Sequence, residues 1–224
     1  MDEVAHTSAR ADRARRRRPR GLGPAAGEGR ARTALPAALG ALAVLTGCGG
    51  KPAGPGPIDP AADRQVWRGL TVADEDRCSP YDAADYRHSA SVEDDIVARL
   101  GGIFSPYTCE AFASTRETDV DHVIARSEAH DSGLCRAGPA TREPFAADLR
   151  NLTLAAPALN RHEKGARDAA EWVPDRNRCW FAQTVVDVRR RYDLTVDERE
   201  MRALEGMLAG CTSWVVACDA VPRP

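Results

Sequence analysis

Thr118-Asp119-Val120-Asp121-His122-Val123-Ile124 is the segment on which the reading of the chain depends. Val120, Val123 and Ile124 are β-branched and suit a pleated, half-buried surface, so the segment predicts a short strand. Asp121 and His122 are adjacent. In a strand their side chains point to opposite faces unless the backbone bends. A carboxylate beside an imidazole can divide labour, one holding a metal ion and the other handling a proton. By itself the pair is equally a structural histidine next to a surface acid. Its weight comes from the residues downstream.

Arg150-Asn151-Leu152-Thr153-Leu154 predicts a second short strand. Ala155-Ala156-Pro157 then turns into a helix expected over 157–172, with Pro157 suited to the first turn. Asn160, Arg161, His162, Lys164 and Gly165 lie within it. The order is therefore Asp-His on one strand, Asn on a second, and Asn with basic residues on a helix. This order resembles the HNH nucleases, whose site is a hairpin packed on one helix. Further motifs extend the match. They are Ser127-Glu128-Ala129-x-Asp131-Ser132-Gly133, Phe145-Ala-x-Asp148-Leu-x-Asn151-Leu, Asn160-x-x-x-Lys164-Gly165 and Asp168-x-Ala170-x-Trp172-x-Pro174. Together they look like the branch of secreted HNH-family proteins related to the C-terminal domain of GmrSD-type restriction enzymes, over about residues 85–211.

The resemblance implies an α+β fold, a ββα-metal (HNH-like) hairpin-plus-helix core with additional packed helices. It implies a metal-dependent DNA endonuclease of little sequence preference. Carried over by position, His122 is the general base, and an imidazole titrates in the right range for that role. Asp121 and Asn160 are the metal ligands, both offering oxygen to a hard ion, Mg²⁺ first, with Mn²⁺ or Zn²⁺ as alternatives. Asn151 fixes the imidazole or the loop beside it. Arg161 and Lys164 are candidate phosphate contacts, or else a solvated helix face. Asp119 and Asp168 support the site, and Trp172 anchors the turn after the helix. His162 departs from the small or polar residue expected there. As a spare ligand it would favour a transition metal. His88 and His130 are expected to be non-catalytic. A phosphatase using the same metal logic is disfavoured by the lack of a Gly-rich phosphate loop.

Residues 1–47 read as a secretory signal. An Arg-rich stretch, Arg15–Arg18, precedes the short apolar segment Ala34–Leu45 and then Leu45-Thr46-Gly47-Cys48. That tetrapeptide resembles a lipobox, with Cys48 as the lipidated residue. Residues 48–65 are rich in Gly and Pro and read as a flexible tether. Residues 66–224 are the folded domain. The expected address is extracytoplasmic, lipid-anchored to the membrane through Cys48 or secreted, with DNA as partner and no obligate protein partner.

Beyond Cys48 lie six cysteines, Cys78, Cys109, Cys135, Cys179, Cys211 and Cys218. An even number in an exported chain predicts disulfides. Cys179 with Cys211 is the favoured pair, joining two neighbouring C-terminal helices. No C-x-x-C spacing suggests a zinc ribbon.

The chain has 31 basic and 33 acidic residues, of which the leader holds nine and four, leaving 22 and 29, a net of −7. This is not the charge of a general nucleic-acid binder. Residues 119–191 are nearly balanced, with 12 basic and 11 acidic. The acidity and the departure at His162 motivate an alternative, a non-catalytic surface-binding lipoprotein on a degenerate HNH scaffold.

Elsewhere Ser91 is expected to cap a helix that Gly101-Gly102 stop. Ile103–Tyr107 suggests a strand, residues 125–142 an irregular connection, and Phe145–Leu149 a helical turn. Phe181, Val185, Val188 and Tyr192 share one face of a helix over 180–192. Thr195-Val196-Asp197-Glu198 reads as a capping box for the last helix, in which Met201, Leu204, Leu208 and Cys211 share a face.

Overall fold

The computed structural model describes residues 65–218. The leader, the lipobox at Cys48 and all of the tether but Gln65 lie outside the described residues. The chain begins with a small hairpin, β1 (Val66–Trp67) and β2 (Leu70–Thr71). Its turn residues Arg68 and Gly69 both have positive φ, 49° and 81°, which suits a tight two-residue turn. Helix α1 (Val92–Leu100) comes next and stops at Gly101, whose φ of 73° is the left-handed cap expected of that glycine. Ser91 does not cap it. Its hydroxyl pairs with Ser89 instead. The strand expected at Ile103–Tyr107 is reduced to one bridge, Phe104 to Ala111.

The central hairpin joins β3 (Asp119–His122) to β4 (Leu152–Ala155). The strands are antiparallel, with Asp121 opposite Thr153 and His122 opposite Leu152. Alternation gives the hairpin two faces. Leu152 and Leu154 meet Val92 and Ile96 of α1. Asp119 and Asp121 look the other way.

The connection between the strands is ordered rather than irregular. It holds helix α2 (Arg126–Asp131), a 3₁₀ turn at Leu134–Arg136 and helix α3 (Pro139–Ala147). Gly138-Pro139 reads locally as a turn, yet here Pro139 is the first helical residue, where its missing N–H costs nothing. Helix α2 is held by tertiary contacts. His130 is fully buried and bonds the Tyr86 hydroxyl (2.8 Å) and the Ser79 carbonyl (2.8 Å). That is a structural role, as expected of His130.

After β4 a short helix with π geometry spans Leu159–Lys164, not 157–172. Gly165 ends it with φ 55° and donates to the Asn160 carbonyl. Asp168 then caps a separate turn by accepting from the amides of Ala170 and Glu171. Trp172 packs edge-on against Tyr107.

Helices α4 (Arg178–Arg191) and α5 (Glu198–Leu208) close the molecule. Most of the expected faces are buried, Phe181, Val185 and Val188 on α4 and Met201, Leu204 and Leu208 on α5, whereas Tyr192 and Cys211 lie beyond the helix ends and are partly buried. The cap of α5 is Asp197, not Thr195. Thr195 is drawn off to the Ser132 carbonyl, which accepts from both its amide and its hydroxyl. Three disulfides complete the α+β fold: Cys78–Cys135, Cys109–Cys218 and Cys179–Cys211. The last is the pair favoured by the sequence. Among the described residues no helix is long and apolar enough to cross a membrane.

Between α2, α4 and α5 lies a buried ionic group that the sequence did not reveal. Arg189 donates to Glu128 (2.6 Å) and Ser132 (2.8 Å) and lies 2.5 Å from Glu200 in a contact without hydrogen-bond geometry. Two carboxyl groups thus share one guanidinium.

Candidate functional site

The end of β3, the loop behind it and the π-helix enclose a cleft of about 350 Å³. Its walls include Tyr81, Asp121, His122, Arg126, Asn160 and Arg161. Four of the expected site residues are therefore brought together: His122, Asp121, Asn160 and Arg161. Asn151, Lys164 and Asp168 are not in its walls.

His122 is held from two sides. Its Nε2–H donates to the Ala146 carbonyl of α3 at 3.0 Å, and its ring stacks on Phe145 at 6.1 Å. With the proton on Nε2, Nδ1 carries the lone pair and has no protein partner among the described residues. Burial first, then the charge of Arg126, hold the imidazole down from its usual 6.5 to about 3. It is neutral at physiological pH, and the same burial makes it a weaker base than a free imidazole. His88 stands closer to the site than its sequence context suggests, with its ring 6.0 Å from that of His122.

Asp121 is buried on the other face of β3. Its Oδ2 accepts from the Tyr107 hydroxyl at 2.6 Å and lies 3.2 Å from Lys164 Nζ. Burial pushes its carboxyl up, against the pull of the ammonium and the phenol. Tyr107, itself buried, is pushed well up by desolvation and by the Asp121 charge.

Lys164 is placed differently from the expectation of a phosphate contact. It is wholly buried, and its ammonium also donates to the His122 carbonyl at 2.7 Å. A phosphate in the cleft does not reach it.

Asn160 donates from Nδ2 to Asp119 Oδ2 at 3.1 Å. Asp119 also accepts a two-pronged bond from Arg161, at 2.8 and 2.6 Å. The Arg161 bonds and the Asn160 amide hold the Asp119 carboxyl below its ordinary value, despite partial burial. Asp119 is thus hydrogen-bonded to both Asn160 and Arg161 of the π-helix. Asn151 is fully buried and clamps the loop after His122: its Oδ1 accepts from Ile124 N at 2.8 Å and its Nδ2 donates to Ile124 O at 3.1 Å. It touches the loop and not the imidazole.

Asp168 lies away from the cleft. One of its oxygens gathers with carboxylate oxygens of Glu75 and Asp197 within 4.8 Å, beside a separate cavity of about 530 Å³. His162 is exposed and lines neither cavity.

Asp121 and Asn160, which both line the first cleft, carry oxygens of the kind a hard cation takes. Asp121 already faces one cation, the Lys164 ammonium, so part of its charge is matched. Tyr107 and Arg126 were missed by sequence reasoning. Tyr107 reaches Asp121 from 14 residues upstream through the fold, whereas Arg126 stands only four residues after His122, at the start of a connection that reads locally as irregular.

No family model and no solved structure matches the chain. The chain is similar to an uncharacterized secreted protein of Arthroderma benhamiae. The two are 29% identical over 182 residues, which cover 79% of this chain and 87% of that protein.

Proposed function

We propose that the chain is an exported endonuclease of HNH type that hydrolyses phosphodiester bonds in DNA with little sequence preference. The single observation carrying this reading is the cleft in which a neutral His122, its Nε2–H fixed by Ala146, meets Asp121 and Asn160. The β3–β4 hairpin followed by a short helix is consistent with a ββα-metal core. An extracellular address is supported by the three disulfides and by the secreted relative. Anchoring through Cys48 belongs to the same proposal.

In this mechanism His122 Nδ1 takes the proton of a water that attacks phosphorus, the P–O bond to one sugar oxygen breaks, and that oxygen leaves with a proton from solvent. Ala146 keeps the tautomer in which that nitrogen is basic. Asn151 holds Ile124, and through it the end of β3, so that the imidazole keeps its place. Asp119 fixes Asn160 and Arg161. A divalent ion held by Asp121 and Asn160, Mg²⁺ by preference, would supply neutralisation of the charge that builds on the phosphate.

Plasmid nicking by residues 49–224 tests the proposal, with Mg²⁺ against chelator and His122→Ala in parallel. Metal-dependent nicking abolished in the variant is the expected result. An intact plasmid under Mg²⁺, Mn²⁺ and Zn²⁺ would defeat it. The pairing of Asp121 with Lys164 favours a second reading, a non-catalytic surface-binding lipoprotein on the same scaffold. Calorimetric titration with the same three ions separates the two readings, since the second expects no binding at physiological concentrations.

A further inference from the structure

Four basic side chains stand on or near the cleft, and their charges are differently matched. Lys164 is buried against Asp121. Arg161 is bridged to Asp119 through two bonds. Arg167 is turned to the carbonyls of His162 and Glu163. Arg126 alone lines the cleft without a carboxylate partner among the described residues.

The Arg126 side chain is nevertheless held. Its Nη1 donates to the Tyr86 carbonyl at 3.1 Å, a single bond that fixes its direction. The guanidinium carries five N–H donors, so most of them remain available. Tyr86 is itself buried and anchored to His130, which makes the support rigid. His122 lines the same cleft. Arg126 and His122 therefore offer a fixed, uncompensated fork of donors and a neutral imidazole to one space large enough for a nucleotide unit.

We propose that Arg126 is the anion-binding residue of this cleft, holding a non-bridging oxygen of a phosphodiester beside His122. The inference rests on the nuclease reading for the class of ligand. The role assigned to Lys164 and Arg161 by position in the HNH pattern passes to a residue in the connection between the strands. Arg161 serves Asp119, and Lys164 serves Asp121.

The test is binding without turnover. A fluorescein-labelled DNA duplex is titrated with residues 49–224 in chelator, over a series of salt concentrations, and read by anisotropy. Wild type is compared with Arg126→Gln, Arg126→Lys and Arg202→Gln. The glutamine at 126 keeps a donor for the Tyr86 carbonyl and removes the charge. It is expected to weaken binding about tenfold and to lower the salt slope by about one phosphate contact. Lysine at 126 is expected to restore the salt slope. Arg202, exposed on α5, paired with Glu198 and outside the cleft walls, is the control: Arg202→Gln is expected to change affinity less than about threefold. A competition arm with inorganic phosphate distinguishes sources: displacement of the duplex at millimolar phosphate marks a general phosphate site, and resistance marks a diester site. Equal effects at 126 and 202, or an unchanged salt slope in Arg126→Gln, would overturn the proposal, as would wild-type protein that does not bind the duplex at all. Binding that matches this pattern without any nicking under divalent ions would leave Arg126 in place and remove the nuclease reading.

Discussion

Lys164 Nζ lies 3.2 Å from Asp121 Oδ2, and both side chains are buried. The pair ties the π-helix to β3. Its energy is set less by attraction than by the cost of separating the partners. Lys164→Met leaves a buried carboxylate unpaired and is expected to cost about 3–5 kcal/mol. Adding Asp121→Asn should recover much of that loss. Chemical denaturation of the two single variants and the double variant gives the coupling. A loss below about 1 kcal/mol in Lys164→Met would mean the pair is solvated after all.

The Arg189 group predicts a pH dependence of stability. Burial first, and then the neighbouring Glu128 charge, push Glu200 up from 4.5 to about 7, against the pull of Arg189. A carboxyl raised on folding binds its proton more tightly in the native state. Its contribution is complete below its unfolded value of 4.5 and is lost as pH rises through about 7. His122 acts in the opposite sense, its contribution fading as pH falls below 6.5 towards about 3. Glu200→Gln isolates the first effect. Between pH 5 and pH 8 the wild type should lose on the order of 3 kcal/mol relative to this variant. Melting temperatures of both proteins across that range check it. Parallel curves would assign the proton elsewhere.

Asn151 is predicted to act on activity through position alone. Asn151→Ala removes two bonds to Ile124 and is expected to cost about 2 kcal/mol. Under the nuclease reading kcat should fall while affinity for duplex DNA in chelator stays within about twofold, because Asn151 lies outside the cleft walls. A matching loss of affinity would place Asn151 in direct contact with substrate.

The disulfides are predicted to differ in weight. Cys109–Cys218 spans 109 residues and Cys179–Cys211 spans 32. By chain entropy their contributions are about 5 and about 4 kcal/mol. The longer one also ties down the tail, where the Ala217 amide donates to Asn177 Oδ1. Paired Cys→Ser variants, melted without reductant, should each lose stability, and proteolysis near residue 214 should rise only in the Cys109/Cys218 variant. Equal cleavage of both variants would deny the tail that anchor.

Much of the framework was legible locally. The β-branched residues around Asp121 and the Leu-Thr-Leu after Asn151 marked the two strands that pair. Period-3.6 spacing marked the buried faces of α4 and α5, and cysteine parity marked the disulfides, including Cys179–Cys211. Helix ends were less legible. Thr195 and Ser91 both have cap chemistry, yet each finds a partner elsewhere, Ser132 for one and Ser89 for the other. Gly165, not Trp172, ends the helix after β4 because its backbone takes a positive φ.

What the sequence determined alone is the set of groups: a carboxylate and an imidazole on one strand, an amide on the next, and an amide with basic residues on the helix after it. Side-chain type and alternation along a strand are local properties, so they survive without the fold. What the tertiary structure decided is which charge meets which. Tyr107 and Lys164 reach Asp121 from 14 and 43 residues away, and Arg189 reaches Glu128 across 61. Burial is a property of the whole packing, and burial turned Lys164 from an expected surface cation into an internal one, leaving the charge of Arg126 facing the cleft.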